Sequence, residues 1–102
     1  MPEAAKDYER LDGSSKTKAD KLLKRILLNP LASTEGGYGK PLSNNANSNI
    51  AGCLKIKLKN SGLRIVYKIE KSDKGVLIIV IGVRDGLRVY KEAQRRINKH
   101  KR

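Results

Sequence analysis

The stretch CLKIKLKNSGLRIVYKI, residues 53–69, decides the fold. In its first half, apolar residues at positions 54, 56 and 58 alternate with lysines at positions 55, 57 and 59. A period of two is typical of a half-buried strand. The segment 60–62, Asn-Ser-Gly, favours a tight turn, and alternation then resumes with apolar residues at 63, 65, 67 and 69. The stretch therefore predicts an antiparallel hairpin with one apolar face.

The other face of the predicted hairpin is cationic. It carries Lys55, Lys57 and Lys59 on the first strand, and Arg64 and Lys68 on the second. Two residues apart on a strand, the first two lysines have Cα atoms roughly 6–7 Å apart. At an effective dielectric constant of about 20, two cations at that spacing repel by about 2 kcal/mol, which favours the uncharged amine of one of them. This crowding indicates a site for a polyanion, although a solvated strand face is the simpler interpretation.

The composition limits the class of protein. The chain has 102 residues, a net charge of +13 and 38% hydrophobic residues, enough for one compact domain with an anionic partner. Neither a transmembrane run nor a signal peptide is expected, and the only cysteine, Cys53, is interpreted as a buried thiol, so we predict a cytoplasmic protein. One His and one Cys are too few for a zinc site of ordinary spacing, so no metal and no cofactor is expected.

Three amphipathic segments predict helices. Apolar spacing predicts a short helix over 3–11 and a longer one over 16–29, which Ser14 or Ser15 caps and Pro30 ends. A third helix over 87–98 precedes a basic tail at 98–102. The intervening segment 31–51 is rich in Gly, Asn and Ser and predicts a loop that is mobile in part.

The remaining apolar run, residues 76–81, predicts a central strand that is covered on both faces. The element order then indicates a single α+β domain over residues 1–102. In it, an N-terminal helical hairpin and a C-terminal helix pack on one face of a small antiparallel sheet. The cationic face of that sheet is expected to stay open.

Three parts of the sequence resemble the RelE/ParE superfamily of bacterial toxin–antitoxin toxins, and most closely its RelE branch. GKPL at 39–42 resembles the loop before the family's sheet, and KIKL with GLRIVY, at 55–58 and 62–67, resembles its central hairpin. IGVR at 81–84, followed by Val89 and Tyr90, resembles the last strand and the start of the closing helix. The family usually opens with a strand before the first helix, whereas this sequence starts at that helix, so we expect a fold that departs from the family by lacking that first strand.

The resemblance implies an endoribonuclease that cleaves mRNA in the ribosomal A site without a metal ion. The 2′-hydroxyl attacks the adjacent phosphate and leaves a 2′,3′-cyclic phosphate. A strand lysine would take the proton, an arginine would bind the phosphate, a later arginine would stabilise the leaving oxygen, and a tyrosine would stack on a base. The catalytic residues implied are Lys55, Lys57, Arg64, Arg84 and Tyr90. We expect further RNA contacts from Lys59, Lys68 and Arg88. Gly86 replaces another arginine of the family, and Arg88 is the residue that could substitute for it.

The expected partners are an acidic antitoxin, mRNA and the ribosome, with no membrane. Two other functions stay open at this point: a ParE-like gyrase inhibitor without nuclease chemistry, and a simple basic RNA-binding module. Single residues also have other interpretations. Arg64 could pair with Glu70 or Asp85, Tyr90 could serve only in helix packing, and Tyr67 is expected in the core because it shares the apolar face.

Overall fold

The computed structural model of the protein describes residues 2–42, 52–58, 62–70, 75–83 and 86–100, with the backbone alone described at 70, 86–88 and 100. Within these ranges the helices are α1 (Pro2–Glu9), α2 (Gly13–Leu28) and α3 (Gly86–His100), and a short 3₁₀ turn spans Ser33–Glu35. The strands are β1 (Lys40–Pro41), β2 (Leu54–Lys57), β3 (Arg64–Glu70) and β4 (Gly75–Gly82). They form one antiparallel sheet in the order β1-β2-β3-β4.

This architecture confirms the predicted α+β fold with its helical pair, hairpin and closing helix. Strand β1 is an addition, because it lies inside the segment predicted to be a loop, and residues 43–51 of that segment fall outside the described ranges. No described helix is both long enough and apolar enough to span a membrane.

Helix α2 is capped by a residue other than the two serines that the sequence suggested. Asp12 occupies the N-cap, and its Oδ1 accepts a hydrogen bond of 2.7 Å from the Ser15 backbone N–H. The bond satisfies one of the unpaired donors of the first helical turn and lowers the pKa of Asp12. The prediction of Ser14 or Ser15 as the cap is therefore wrong. At the other end Asn29 forms the C-cap just before Pro30, as predicted.

The first face of the sheet is closed by α2 with hydrocarbon contacts. The helix presents buried Ala19, Leu22 and Ile26 to the apolar face of the hairpin, which includes Tyr67. Tyr67 is fully buried and its hydroxyl donates a 3.2 Å hydrogen bond to the Pro30 carbonyl. The apolar hairpin face and the core position of Tyr67 are thus confirmed.

The second face of the sheet is covered by α3, which corrects the expectation that every helix lies on one side. Val89 and Ala93 of α3 pack against Cys53, Val66 and Val80. Val66 lies between the cations Arg64 and Lys68 on this side of β3. Together with Cys53 and Val80 it forms the apolar surface on which α3 packs. Burial of Cys53 raises the pKa of its thiol, in line with the predicted buried thiol.

A β-bulge in β4 allows this strand to serve both faces. Val66 pairs with Val80 and Tyr67 pairs with Ile78, so Ile79 is an extra residue between them. As a result Ile79 and Val80 both belong to the α3 side, whereas Ile78 packs on the α2 side. The strand is covered on both faces, as predicted, but it lies at the edge of the sheet and not at its centre.

A buried arginine joins α1, α3 and the bulge. Arg96, only 7% exposed, pairs with Asp7 of α1 at 2.7 Å and with Glu92 at 2.6 Å. It also donates to the Ile79 carbonyl at 2.8 Å, while Asp7 accepts from the Ile81 backbone N–H at 3.1 Å. The ion pair thereby satisfies backbone groups of β4 as well as its own charges.

Candidate RNA-binding and active site

Three predicted site residues lie together on the face that α3 shares. Lys57 and Arg64 are direct partners across β2 and β3, and Arg64 is in turn paired with Gly82 of β4. Lys55 lies two residues before Lys57 on the same side of β2. Paired side chains in a sheet start from Cβ atoms about 4.5–5.5 Å apart. The structure therefore gathers these three cations at the end of the sheet nearest the hairpin turn.

The contacts of Arg64 are local. Its Nε donates a long hydrogen bond of 3.4 Å to the Gly62 carbonyl, next to the turn. The alternative pairing of Arg64 with Glu70 or Asp85 involves side chains outside the described set. The structure shows that Arg64 and Lys57 are cross-strand partners, so one phosphate could contact both side chains.

Tyr90 of α3 borders the same cluster. The Lys55 Nζ lies 5.2 Å from the centroid of the Tyr90 ring, within the range of a cation–π contact. Tyr90 also packs against the core beneath α3, so its packing role and its place beside the lysine coexist. The helix approaches closely because position 82 is glycine: a Cβ at Gly82 would overlap the Val89 side chain.

Of the remaining predicted residues, one lies apart from this group and the others have side chains outside the described set. Lys68 is exposed, and four residues along β3 from Arg64 it lies roughly 13 Å away. Its charge instead acts on the thiol of Cys53. Arg84 and Lys59 lie outside the described residues, and for Arg88 the backbone alone is described.

Sequence reasoning missed a pocket at the β1 end of the cluster. It has a volume of about 260 Å³ and is lined by Arg25, Tyr38, Lys40, Lys55, Ile56 and Lys57. Lys40 is the direct partner of Lys55 across β1 and β2. The only available signal was the GKPL motif, because a strand of two residues that includes a proline carries no readable period.

The cations of the hairpin and the pocket have no acidic partner in the described part of the chain. There, the ion pairs involve Arg95, Arg96 and Lys99 of α3, and none involves a residue of the cluster. Among the same residues, no three His, Cys, Asp or Glu side chains lie close enough together to hold a metal ion. Within the described residues, no ion pair therefore neutralises the positive charge of the cluster.

The fold and this cationic cluster define a small α+β protein with clustered cations on a sheet face that one helix covers only in part, and comparison with known proteins identifies its family. The chain is 31% identical over 94 residues to the mRNA interferase toxin RelE of Escherichia coli K12, covering 92% of this chain and 88% of that protein. The mRNA interferase RelE of Shigella flexneri matches with the same identity and coverage. No protein-family model matches the sequence.

Solved structures agree with the sequence comparison. The crystal structure of isolated E. coli RelE toxin superposes with a TM-score of 0.66 at 28% identity, covering 95% of this chain and 93% of that one. A mutant of the same toxin in complex with an antitoxin RelBc peptide superposes with a TM-score of 0.65 at 27% identity, covering 91% and 87%. The chain belongs to the RelE family of toxins.

Proposed function

We propose that this protein is an mRNA-cleaving toxin of a type II toxin–antitoxin system, and that the cluster of Lys55, Lys57, Arg64 and Tyr90 is its active site. The observation that carries the proposal is the placement of Lys55 at 5.2 Å from the Tyr90 ring, beside the paired Lys57 and Arg64. Membership of the RelE family supports it, because the relatives it matches are mRNA interferases.

Substrate binding uses the cations and the aromatic ring together. Lys57 and Arg64, side by side on neighbouring strands, hold the scissile phosphate between them. Tyr90 supports a base beside that phosphate, and base–aromatic stacking contributes about 1–3 kcal/mol. Such binding holds the 2′-hydroxyl close to the phosphate that it attacks. Holding the two reacting groups in place lowers the entropic part of the activation barrier.

The reaction is an internal transfer of the phosphodiester. One of the two strand lysines acts as the general base and takes the proton of the 2′-hydroxyl. The 2′-oxygen bonds to phosphorus, and the bond from phosphorus to the 5′-oxygen breaks. Arg64 stabilises the negative charge that develops on the phosphate oxygens. The leaving 5′-oxygen takes a proton from a nearby ammonium or from water, and Arg84 stabilises it, so the products end in a 2′,3′-cyclic phosphate and a 5′-hydroxyl.

We propose that this chemistry proceeds without a metal ion. In metal-dependent nucleases the ion supplies positive charge at the phosphate and activates the nucleophile. Here lysine and arginine side chains without acidic partners in the described ranges can supply the charge, and an amine can act as the base. A phosphorothioate at the scissile position tests this step: we expect no recovery of cleavage with a thiophilic ion such as Cd²⁺, and recovery would contradict it.

Two partners follow from the same features. We propose that an acidic antitoxin binds this chain, because its net charge of +13 favours an anionic partner and a relative is known in complex with an antitoxin peptide. We also propose that cleavage takes place on mRNA in the ribosomal A site. RNA bound there is already single-stranded, so its phosphate and base can reach the part of the sheet face that α3 leaves uncovered.

The central experiment is induction of the protein in cells, followed by mapping of mRNA 5′ ends. We expect new ends inside reading frames. Alanine in place of Lys55, Lys57, Arg64 or Arg84 is expected to reduce cleavage by about 10²–10³-fold, the usual effect of removing one transition-state contact. Lys6→Ala is the matched control, because Lys6 is an exposed lysine on α1, and its cleavage should equal that of the unsubstituted chain.

The same experiment separates the two other functions. Growth arrest with intact mRNA and loss of DNA supercoiling would indicate a gyrase inhibitor. RNA that is bound in a salt-dependent manner but never cut would indicate a binding module. Full cleavage by both Lys55→Ala and Arg84→Ala would leave an RNA-cleaving toxin whose active site lies elsewhere.

A further inference from the structure

The pocket next to the hairpin contains more positive charge than one phosphate requires. Four of its lining side chains are cations, namely Arg25, Lys40, Lys55 and Lys57. Two of these belong to the proposed active site, whereas Arg25 comes from α2 and Lys40 from β1. The pocket therefore extends the site around the edge of the sheet, away from Tyr90.

We propose that this pocket binds the nucleotide one position beyond the two that flank the scissile phosphate, with its base on Tyr38 and its own phosphate between Arg25 and Lys40. The inference rests on the proposed function and adds a further nucleotide subsite to the active site. In this arrangement Tyr90 and Tyr38 stack on bases that lie on opposite sides of Lys55 and Lys57.

The geometry of Tyr38 is that of a stacking platform. Its side chain is 55% exposed, although tyrosine is a large and partly apolar residue. The guanidinium of Arg25 lies 5.8 Å from the centroid of its ring, which supports the ring from one side. An exposed aromatic ring with cations close by is the usual arrangement for sequence-tolerant binding of single-stranded nucleic acid.

The position of Lys40 links the pocket to the scissile phosphate. Lys40 and Lys55 are direct partners in the sheet, and neighbouring strands lie about 4.7–4.9 Å apart. Strand β1 begins only at Lys40, so the edge of β2 at Ile56 and Lys57 has no strand partner there, and the pocket opens at that edge. An RNA strand that runs from Lys55 and Lys57 in this direction would place its next nucleotide at Tyr38.

The lining of the pocket, which combines cations with an exposed aromatic ring, favours a nucleotide over a protein segment. About 260 Å³ lies just below the ~300–1,000 Å³ range that is common for pockets holding one small molecule. An acidic peptide would satisfy the cations but would leave the exposed ring of Tyr38 without a planar partner. A nucleotide uses both features.

Binding of short RNA to the full chain tests the proposal. The probes are fluorescent oligoribonucleotides with a 2′-deoxy sugar at the scissile position: a dinucleotide, and two trinucleotides extended at the 5′ or the 3′ end. We expect one trinucleotide to bind more tightly than the dinucleotide. Tyr38→Ala should weaken that trinucleotide by about 5- to 150-fold and leave the dinucleotide unchanged. Tyr38→Phe should keep the affinity, since its ring can still stack.

The cations of the pocket have a separate signature. Arg25→Gln and Lys40→Gln should each lower the salt dependence of trinucleotide binding by about 0.7 in log K against log salt, as for one contact with single-stranded RNA. Lys24→Gln, an exposed lysine next to Arg25 that does not line the pocket, is the matched control and should change neither affinity nor slope.

Four outcomes would overturn the proposal. The first is equal affinity for the dinucleotide and both trinucleotides. The second is an equal loss for all probes in Tyr38→Ala. The third is no binding of any probe by a chain that still cleaves mRNA on ribosomes, which leaves the proposed function intact and removes only the subsite. The fourth is that Arg25→Gln or Lys40→Gln abolishes binding of a poly-glutamate peptide but leaves trinucleotide binding unchanged, since the pocket would then be a site for an acidic protein.

Discussion

The two faces of the sheet are built in different ways. The face under α2 is closed by hydrocarbon side chains such as Leu22 and Ile26, which are at most 1% exposed. The face under α3 is closed over only part of its area, and its helix is held by a buried ion pair as well as by apolar contacts. The rest of that face carries Lys55, Lys57 and Arg64.

The difference separates stability from function. Clustered cations repel one another, and an open face contributes little burial, so the second face adds less to the free energy of folding than its area suggests. The α2 face supplies burial without any polar requirement. A small protein can keep a repelling surface for its substrate when the opposite surface supplies the stability.

Of the variants that test this contrast, Arg96→Met is expected to lose the most stability. Removal of one partner of a buried ion pair commonly costs about 3–5 kcal/mol, because the other charge stays buried and unpaired. Here Asp7 would lose Arg96, and the Ile79 carbonyl would lose its donor. We expect a loss of that size in the free energy of unfolding, measured by urea denaturation.

Arg95→Met is the matched control for this substitution. Arg95 also pairs with Glu92, but its side chain is 57% exposed. An exposed pair within one helix contributes about 0.3–0.5 kcal/mol, so the control should lie close to the unsubstituted chain. Equal losses in both variants would show that burial of Arg96 does not matter.

The second test is Leu22→Ala on the α2 face. Leu22 is fully buried, and a cavity of this kind commonly costs about 2–5 kcal/mol. Leu27→Ala in the same helix is the control, because Leu27 is 77% exposed and should change stability by less than about 0.5 kcal/mol. Both variants should keep cleavage activity per folded molecule, and a specific loss in Leu22→Ala would contradict the separation of the two faces.

The third test is Gly82→Ala beneath α3. The added methyl overlaps Val89, so the helix must shift, and overpacking of this kind costs about 1–3 kcal/mol. Tyr90 is adjacent to Val89 in the chain, so a shift of Val89 also displaces the Tyr90 ring. RNA affinity should therefore fall by more than the loss of folded protein alone would cause. Gly13→Ala at the start of α2 meets no atom within 4 Å and should be neutral or stabilising by up to about 1 kcal/mol. Normal RNA binding by Gly82→Ala would separate the glycine from the position of Tyr90.

The smallest effect concerns pH. Hydrogen bonds from Arg95 and then Arg96 lower the pKa of Glu92 to about 2, against the opposing effect of burial. A carboxylate with a lowered pKa stabilises the folded state above its ordinary pKa, and this contribution disappears as pH falls toward 2. After allowance for solvent screening we expect about 1 kcal/mol. The stability difference between the unsubstituted chain and Glu92→Gln should shrink as pH falls from 5 to 2.5, and a constant difference would contradict the assignment.

The elements that the sequence predicts well are those with a local period. The hairpin, the core position of Tyr67 and the burial of Cys53 all follow from alternation with a period of two over residues 53–69. The helices follow from apolar spacing, with their ends displaced by a few residues. The catalytic candidates on β2 and β3 came with the hairpin, because alternation places them on one face.

What the sequence could not show depends on contacts between distant segments. The side on which α3 packs is decided by three apolar residues at positions 53, 66 and 80, from three different strands or their ends. The bulge at Ile79 changes which residues of β4 face each helix, and a continuous apolar run hides it. Arg25 and Tyr38 meet Lys55 only through the turn that leads into β1, which has no periodic signal.

The ion pair between Asp7 and Arg96 spans 89 positions of the chain. During synthesis α1 cannot form this ion pair until α3 has left the exit tunnel, because α3 follows every strand of the sheet along the chain. Tyr90 lies on that late helix. The proposed substrate site therefore cannot be complete until this helix has been made and has folded back onto the sheet.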